Sequence, residues 1–235
     1  MNLAGLGLDL HGIAVDNAAA KTGGVVRKFR LSRQLLGALL ALAIPAALSA
    51  GLSYAKNSGA LKNTVVLIIR HAEEADKGDG LSSDGDARAK AYVKYFKSFT
   101  IEGKPLKLDH LFSAKNSTNS NRPRLTIAPT AQALGLKIDT KYKSKQVSEL
   151  IREIQSLPPG ATILICWHHT DIPQMLREFG ADPQKLLRDG KWPEDVYGWL
   201  IQLRYDENGD LIESKRINEL LLPDDSNKHS LSAPR

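Results

Sequence analysis

Thr64-Val-Val-Leu-Ile-Ile69 is a short run of apolar, mostly β-branched residues, and Arg70-His71 follows it directly. A second run, Thr162-Ile-Leu-Ile-Cys-Trp167, ends in a similar way at His168-His169. Runs of this kind predict strands that are buried on both faces of a sheet. Ligands of open α/β sheets bind at the carboxyl ends of the strands. The sequence therefore predicts a functional site where the two strands end in histidine.

The segments around these strands alternate between helical and strand-like patterns. Helices are predicted over about residues 83–99 and 122–134, and Asn208-Gly209 is a strong hairpin signal. The predicted fold class is α/β, a three-layer α/β/α domain with a mostly parallel central sheet and a C-terminal antiparallel hairpin. The other predicted elements are strands at 108–113, 137–139, 196–205 and 211–217, helices at 147–154 and 172–179, and a helical turn at 184–187.

The composition limits the classes of protein to which the chain can belong. Its 235 residues, 42% hydrophobic and 25% charged, fit one soluble domain with a leader. Five basic and two acidic residues within 1–55 account for half of the net charge of +6. No dense basic stripe with interleaved aromatic residues is present, so nucleic acid is not an expected partner. Cys166 is the only cysteine, which excludes an intrachain disulfide and a thiolate metal cluster.

The N-terminal residues have the pattern of an export signal. Residues 1–34 form a basic N-terminal region, and residues 35–55 are uncharged and rich in Leu and Ala. The second stretch is either a cleaved signal peptide or an uncleaved signal-anchor helix that tethers the protein to a membrane. The remaining chain is then expected to be periplasmic or extracellular. It divides into a linker (56–63), the α/β domain (64–222) and a flexible tail (223–235), and nothing in it indicates an oligomeric state.

Four stretches of the α/β domain carry recognisable motifs on the elements predicted for them. They are Ile69-Arg-His-Ala-Glu73, Leu81-Ser-Ser-Asp-Gly-Asp-Ala-Arg-Ala89, Phe112-Ser-Ala114 followed by Arg122-Pro-Arg-Leu-Thr126, and Ile163-Leu-Ile-Cys-Trp-His-His169. In this order they resemble the motifs of the histidine phosphatase superfamily, which includes cofactor-dependent phosphoglycerate mutases and many phosphatases. Ala72 stands where the superfamily signature has glycine.

The resemblance implies a phosphomonoesterase that acts on a small phosphorylated molecule through a phosphohistidine, with no metal and no other cofactor. His71 would be the nucleophile, and Arg70 and Arg122 would bind the phosphate oxygens, a task that suits the planar guanidinium group. Either His168 or His169 would be the second essential histidine.

Several assignments remain open between neighbouring residues. Asp171 is a candidate for the acid that protonates the leaving oxygen, and the carboxylates of the first loop are its rivals. Arg124 is an alternative to Arg122. The residues concerned are Glu73, Glu74 and Asp79 as rival acids, and Glu73 and Ser113 as candidates for substrate contact.

Three other functions compete with a phosphatase. A non-catalytic phosphate-binding domain of the same fold would need the same arginines and histidines. A phosphomutase is disfavoured because the domain lacks long insertions that would retain a bisphosphate intermediate. A metal hydrolase built on His168 and His169 is disfavoured because adjacent strand residues point to opposite sides and Arg70 would repel the ion.

Overall fold

The computed structural model of the protein describes residues 58–223 and residue 225. The basic region, the leader and most of the predicted tail lie outside the described residues. Within the part that is described, no helix is both long enough and apolar enough to span a bilayer.

Along the described chain, helices connect the successive strands of the central sheet from β2 to β8. The elements are β1 (Ser58–Leu61), β2 (Val65–Arg70), α1 (Ser83–Lys97), β3 (Thr100–Ile101), β4 (Lys104–Pro105), β5 (His110–Ser113), α2 (Arg122–Leu134), β6 (Ile138–Asp139), α3 (Val147–Gln155), β7 (Thr162–Trp167), α4 (Ile172–Glu178), α5 (Pro183–Leu186), β8 (Trp199–Tyr205) and β9 (Leu211–Asn218).

The central sheet has the strand order β6-β5-β7-β2-β8-β9. The first four of these strands are parallel, whereas β8 pairs antiparallel with β2, and β9 pairs antiparallel with β8. Arg70 at the end of β2 lies opposite Trp167 at the end of β7. Both histidine-bearing segments therefore leave the sheet at the same edge. The predicted α/β fold, with its mostly parallel sheet and C-terminal hairpin, is confirmed.

The two faces of the sheet have separate hydrophobic cores. Along β2, Val66 and Ile68 pack into a core with α3, α4 and α5, while Leu67 and Ile69 pack into another with α1 and α2. Successive strand residues point to opposite faces, so a strand covered on both sides must be apolar at every position. This is the physical reason for the continuous apolar runs in β2 and β7.

Some predicted element boundaries differ from the structure. Residues 58–61, which lie within the linker predicted at 56–63, form β1, because Leu61 is buried in the core beside β2. Leu61 is one large apolar residue in a mostly polar stretch, so the sequence there has no periodic pattern that predicts a strand. The hairpin of β3 and β4 was not predicted, since each strand has only two residues and β4 contains Pro105.

The start of α1 packs tightly against the loop that follows His71. The Ser82 hydroxyl caps the helix by accepting from Gly85 N at 3.1 Å, and Ser82 N donates to Glu73 O at 3.0 Å. A Cβ atom at Gly85 would lie only 2.4 Å from Glu73 O. Glycine is therefore needed at position 85 for this close approach of helix and loop.

A buried polar cluster connects α1 to the end of the described chain. The Arg88 guanidinium, 1% exposed, contacts the Glu73 carboxylate at 2.6 Å and the Asp225 carboxylate at 2.7 Å. Nearby, the Tyr92 hydroxyl donates to the buried Glu219 carboxylate at 2.8 Å. Burial raises the pKa of the Glu219 carboxyl to about 8, so the folded protein favours its protonated form.

This raised pKa predicts a loss of stability as the pH rises from the unfolded pKa of glutamate to about 8. An unfolded glutamate ionises at a pKa of about 4.3, so folding retains a proton that must be lost as the pH rises through about 8. The free energy of unfolding should therefore fall more steeply between about pH 4 and pH 8 in the wild type than in Glu219→Gln, whose amide does not titrate.

Urea unfolding at several pH values measures this difference. Glu207→Gln, in the exposed β8–β9 turn, is the matched control and should keep the wild-type pH dependence. The same slope in Glu219→Gln and in the wild type would contradict the role given to Glu219.

Candidate active site

The carboxyl ends of β2 and β7 bring Arg70, His71 and His168 together. His71 N donates to Trp167 O at 3.0 Å, which fixes the backbone of one segment to the other. The rings of His71 and His168 then meet edge to face, with centroids 5.1 Å apart. Arg122 enters the same cluster from the first residue of α2 and contacts Glu74 at 3.3 Å. We call Arg70, His71, Arg122 and His168 the cradle.

His71 is held in the protonation state that a nucleophile needs. Its ring is 1% exposed, and Nδ1 lies 2.8 Å from Ala72 O. A carbonyl oxygen only accepts, so Nδ1 carries the proton and Nε2 keeps its lone pair. Burial, reinforced by the positive charges of Arg70 and Arg122, lowers the pKa of His71 to about 3. The imidazole is therefore neutral at physiological pH.

The loop at residues 193–197 fixes the position of Arg70. Nη1 of this buried arginine donates to the carbonyl oxygens of Pro193, Glu194 and Val196 at 3.2, 2.5 and 3.2 Å. The Tyr197 ring lies against the guanidinium, 3.9 Å from Cζ to the ring centroid. Nη2 faces the cradle, 3.8 Å from Glu74 Oε1. The backbone thus holds one end of the guanidinium and leaves the other end for an anion.

Thr126 couples the position of Arg122 to the loop after His71. Its Oγ1 accepts from Ala72 N at 2.8 Å and donates to Arg122 O at 2.8 Å. The start of α2 is therefore tied to Ala72, the residue that follows His71. Between the two candidate arginines, Arg122 reaches the cluster, and no contact from Arg124 to it is seen among the described residues.

The two adjacent histidines have different surroundings. His168 lies against His71, whereas His169 lines a neighbouring cavity of about 540 Å³ together with Arg177 and Trp192. Burial lowers the pKa of both rings. The geometry therefore favours His168 as the second histidine of the cradle and gives His169 a place in the adjacent cavity.

Four other candidate residues have partners elsewhere. The buried Asp171 carboxylate binds the Ser144 hydroxyl and, at 2.6 Å, the Lys145 ammonium group. Glu73 is paired with Arg88. Among the described residues none of the four side chains forms a hydrogen bond or a salt bridge with Arg70, His71 or Arg122. The remaining two are Ser113, whose hydroxyl donates to Ala114 O at 3.3 Å, and Asp79, whose carboxylate accepts from the Asn121 amide.

Glu74 is the carboxylate that lies in the cradle. Its Oε1 is 3.6 Å from His71 Nε2 and 3.8 Å from Arg70 Nη2, and its Oε2 is 3.3 Å from Arg122 Nη2. The side chain is 39% exposed, so it covers the open side of the cluster. An anionic group is thus held at the point where the side chains of Arg70, His71 and Arg122 converge.

Sequence reasoning missed the residues that support the cradle from behind. Tyr197 and the carbonyl groups of 193–196 belong to an irregular segment with no periodic signal. Arg88 has only the helical pattern of α1, and its two carboxylate partners are distant in sequence. Within residues 58–223 and at residue 225, no three His, Cys, Asp or Glu side chains are placed to hold a metal ion.

Comparison with known proteins yields similar folds alone. The chain matches no family model, and no curated protein is similar in sequence. A candidate phosphohistidine phosphatase, SixA from Agrobacterium tumefaciens, is 19% identical with a TM-score of 0.43, over 65% of this chain and 97% of that one. The protein histidine phosphatase SixA complexed with tungstate is 15% identical with a TM-score of 0.43, over 64% and 95%. Similarity this distant assigns no activity. Both proteins belong to the histidine phosphatase superfamily, whose motifs the sequence resembles.

Proposed function

We propose that the protein is a phosphomonoesterase that transfers a phosphoryl group from a small substrate to His71 and then to water. One observation carries this proposal: the lone pair of a neutral, buried imidazole faces the point where Arg70 and Arg122 converge on an anion. A nucleophile and an anion-binding pocket at the same point are the two requirements of covalent phosphoryl transfer.

In the first step, His71 Nε2 attacks phosphorus in line with the leaving oxygen. Non-bridging oxygens would replace the Glu74 carboxylate on Arg70 Nη2 and Arg122 Nη2. These two fixed guanidinium groups stabilise the charge on the phosphoryl oxygens in the transition state. Because Ala72 O accepts from Nδ1, it also stabilises the positive charge that the ring gains on phosphorylation.

His168 has a second role in the same step. Its ring lies beside His71 on the side of β7, where a donated hydrogen bond would reach the transferring group. The transition state carries more charge on its oxygens than a carboxylate does, so a donor in this position contributes to the rate of the chemical step.

The N-terminal residues are proposed to direct export of the protein. The basic flank at 1–34 and the apolar stretch at 35–55 would direct the catalytic domain to the outside of the cytoplasmic membrane, free or tethered. Fractionation of cells that express the full chain should recover it from the periplasm, the medium or the membrane. Recovery of the full-length chain from the cytosol alone would contradict export.

His71→Ala should abolish turnover of 4-nitrophenyl phosphate, with a loss of about 10³-fold or more, because no other group replaces a covalent nucleophile. In the wild type, an alkaline quench followed by ³¹P NMR should detect a phosphohistidine that is absent from this variant. His110→Ala, at the opposite end of the sheet on β5, is the control and should retain activity. A wild type that binds phosphate without turnover would instead support the non-catalytic alternative.

The two histidines after β7 should differ in their effects on catalysis. His168→Ala should lower kcat by about 10² to 10³-fold, the usual cost of removing one transition-state donor. His169→Ala should leave kcat within about 5-fold and act mainly on KM, because its ring faces the neighbouring cavity. Steady-state kinetics of the pair measures the difference, and the reverse order would show that the cradle uses His169.

A further inference from the structure

Phosphate binding alone does not explain the position of the Glu74 side chain. Its carboxylate contacts Arg70, His71 and Arg122, each within 3.8 Å. A carboxylate at this point competes with the phosphate of the substrate for Arg70 and Arg122. A residue that only bound phosphate would be neutral or positive.

Three other carboxylates near the cradle form salt bridges or hydrogen bonds with other side chains. Glu73 is bound to Arg88, Asp171 to Lys145, and Asp79 to Asn121. Glu194 is exposed, and its side chain forms no salt bridge with the cradle in the part of the chain that the structure describes. Glu74 is thus the carboxyl group in contact with the reacting atoms.

We propose that Glu74 is the proton donor to the leaving oxygen, an inference that rests on the phosphatase function proposed above. The backbone of Glu74 is fixed by its bridge to Leu81, and its neighbour Glu73 is anchored on Arg88. The side chain can therefore rotate on a stationary loop. A phosphoryl group that enters the cradle displaces the Glu74 carboxylate toward solvent. The carboxylate then remains beside the phosphoryl group, because its backbone does not move.

The direction of attack brings the leaving oxygen to the same side. His71 is buried, so in-line attack from Nε2 places the leaving group opposite, toward solvent. Glu74, 39% exposed, covers that side. The leaving oxygen and the Glu74 carboxyl group therefore meet on the solvent side of the cradle.

The reaction is balanced with these two residues and water. In the first step the Nε2–P bond forms, the P–O bond breaks, and the leaving oxygen takes its electron pair together with the proton of the Glu74 carboxyl. In the second step a water oxygen attacks phosphorus and its proton passes to the Glu74 carboxylate. The electron pair of the P–N bond returns to the His71 ring, and inorganic phosphate leaves.

Glu74→Gln tests the assignment through the dependence on the leaving group. With an alkyl phosphate such as glycerol 3-phosphate, whose alkoxide needs a proton, kcat/KM should fall by about 10² to 10⁴-fold. With 4-nitrophenyl phosphate, whose phenolate leaves unaided, the loss should stay within about 5-fold. The phosphohistidine should also accumulate in this variant during turnover of 4-nitrophenyl phosphate, because water attack lacks its base.

Three other results would contradict the role of Glu74 as the proton donor, and they can be told apart. Equal losses with both esters would show that Glu74 only shapes the cradle. Unchanged or higher activity with both, together with tighter inhibition by inorganic phosphate, would show that its carboxylate is only a competing anion. Glu207→Gln is the matched control and should behave as the wild type with both esters. A wild type without turnover of either ester would overturn the phosphatase function itself.

Discussion

Parallel pairing of β2 with β7, in the register that places Arg70 opposite Trp167, determines where the two histidine-bearing segments leave the sheet. The hydrogen bond from His71 N to Trp167 O continues this pairing one residue beyond the strand. A register shift of one residue would turn every side chain of β2 to the other face and would disrupt the packing of both cores. The core that stabilises the fold therefore also fixes the distance between His71 and His168.

Neutral groups on the buried side of Arg70 stabilise its positive charge at this edge of the sheet. Three carbonyl oxygens and an aromatic ring hold Arg70, so its charge is not cancelled by a buried carboxylate. Burial, together with the same positive charge, lowers the pKa of His71 and keeps its ring neutral. An imidazole that stays unprotonated beside two guanidinium groups is suited to attack an anionic ester, since protonation would remove its lone pair.

The sequence predicted the parts of this account that depend on periodicity and motif order. The apolar runs of β2 and β7 predicted the sheet and the edge at which the two histidine-bearing segments meet, and the resemblance pointed to His71 and Arg122. It could not decide between His168 and His169, because a strand may end one residue earlier or later without a change of pattern. It also named Glu73 and Asp171 as candidates, and the structure pairs their carboxylates with Arg88 and Lys145. Those pairings depend on tertiary contacts between distant segments, which no local pattern encodes.

A crystal structure of the protein with orthovanadate tests the central claim most directly, because vanadate imitates the five-coordinate phosphoryl group. We predict vanadium bonded to His71 Nε2, its oxygens on Arg70 and Arg122, and the Glu74 carboxylate displaced toward solvent beside the apical oxygen. Vanadate bound away from His71, with Glu74 still in contact with both arginines, would contradict the account.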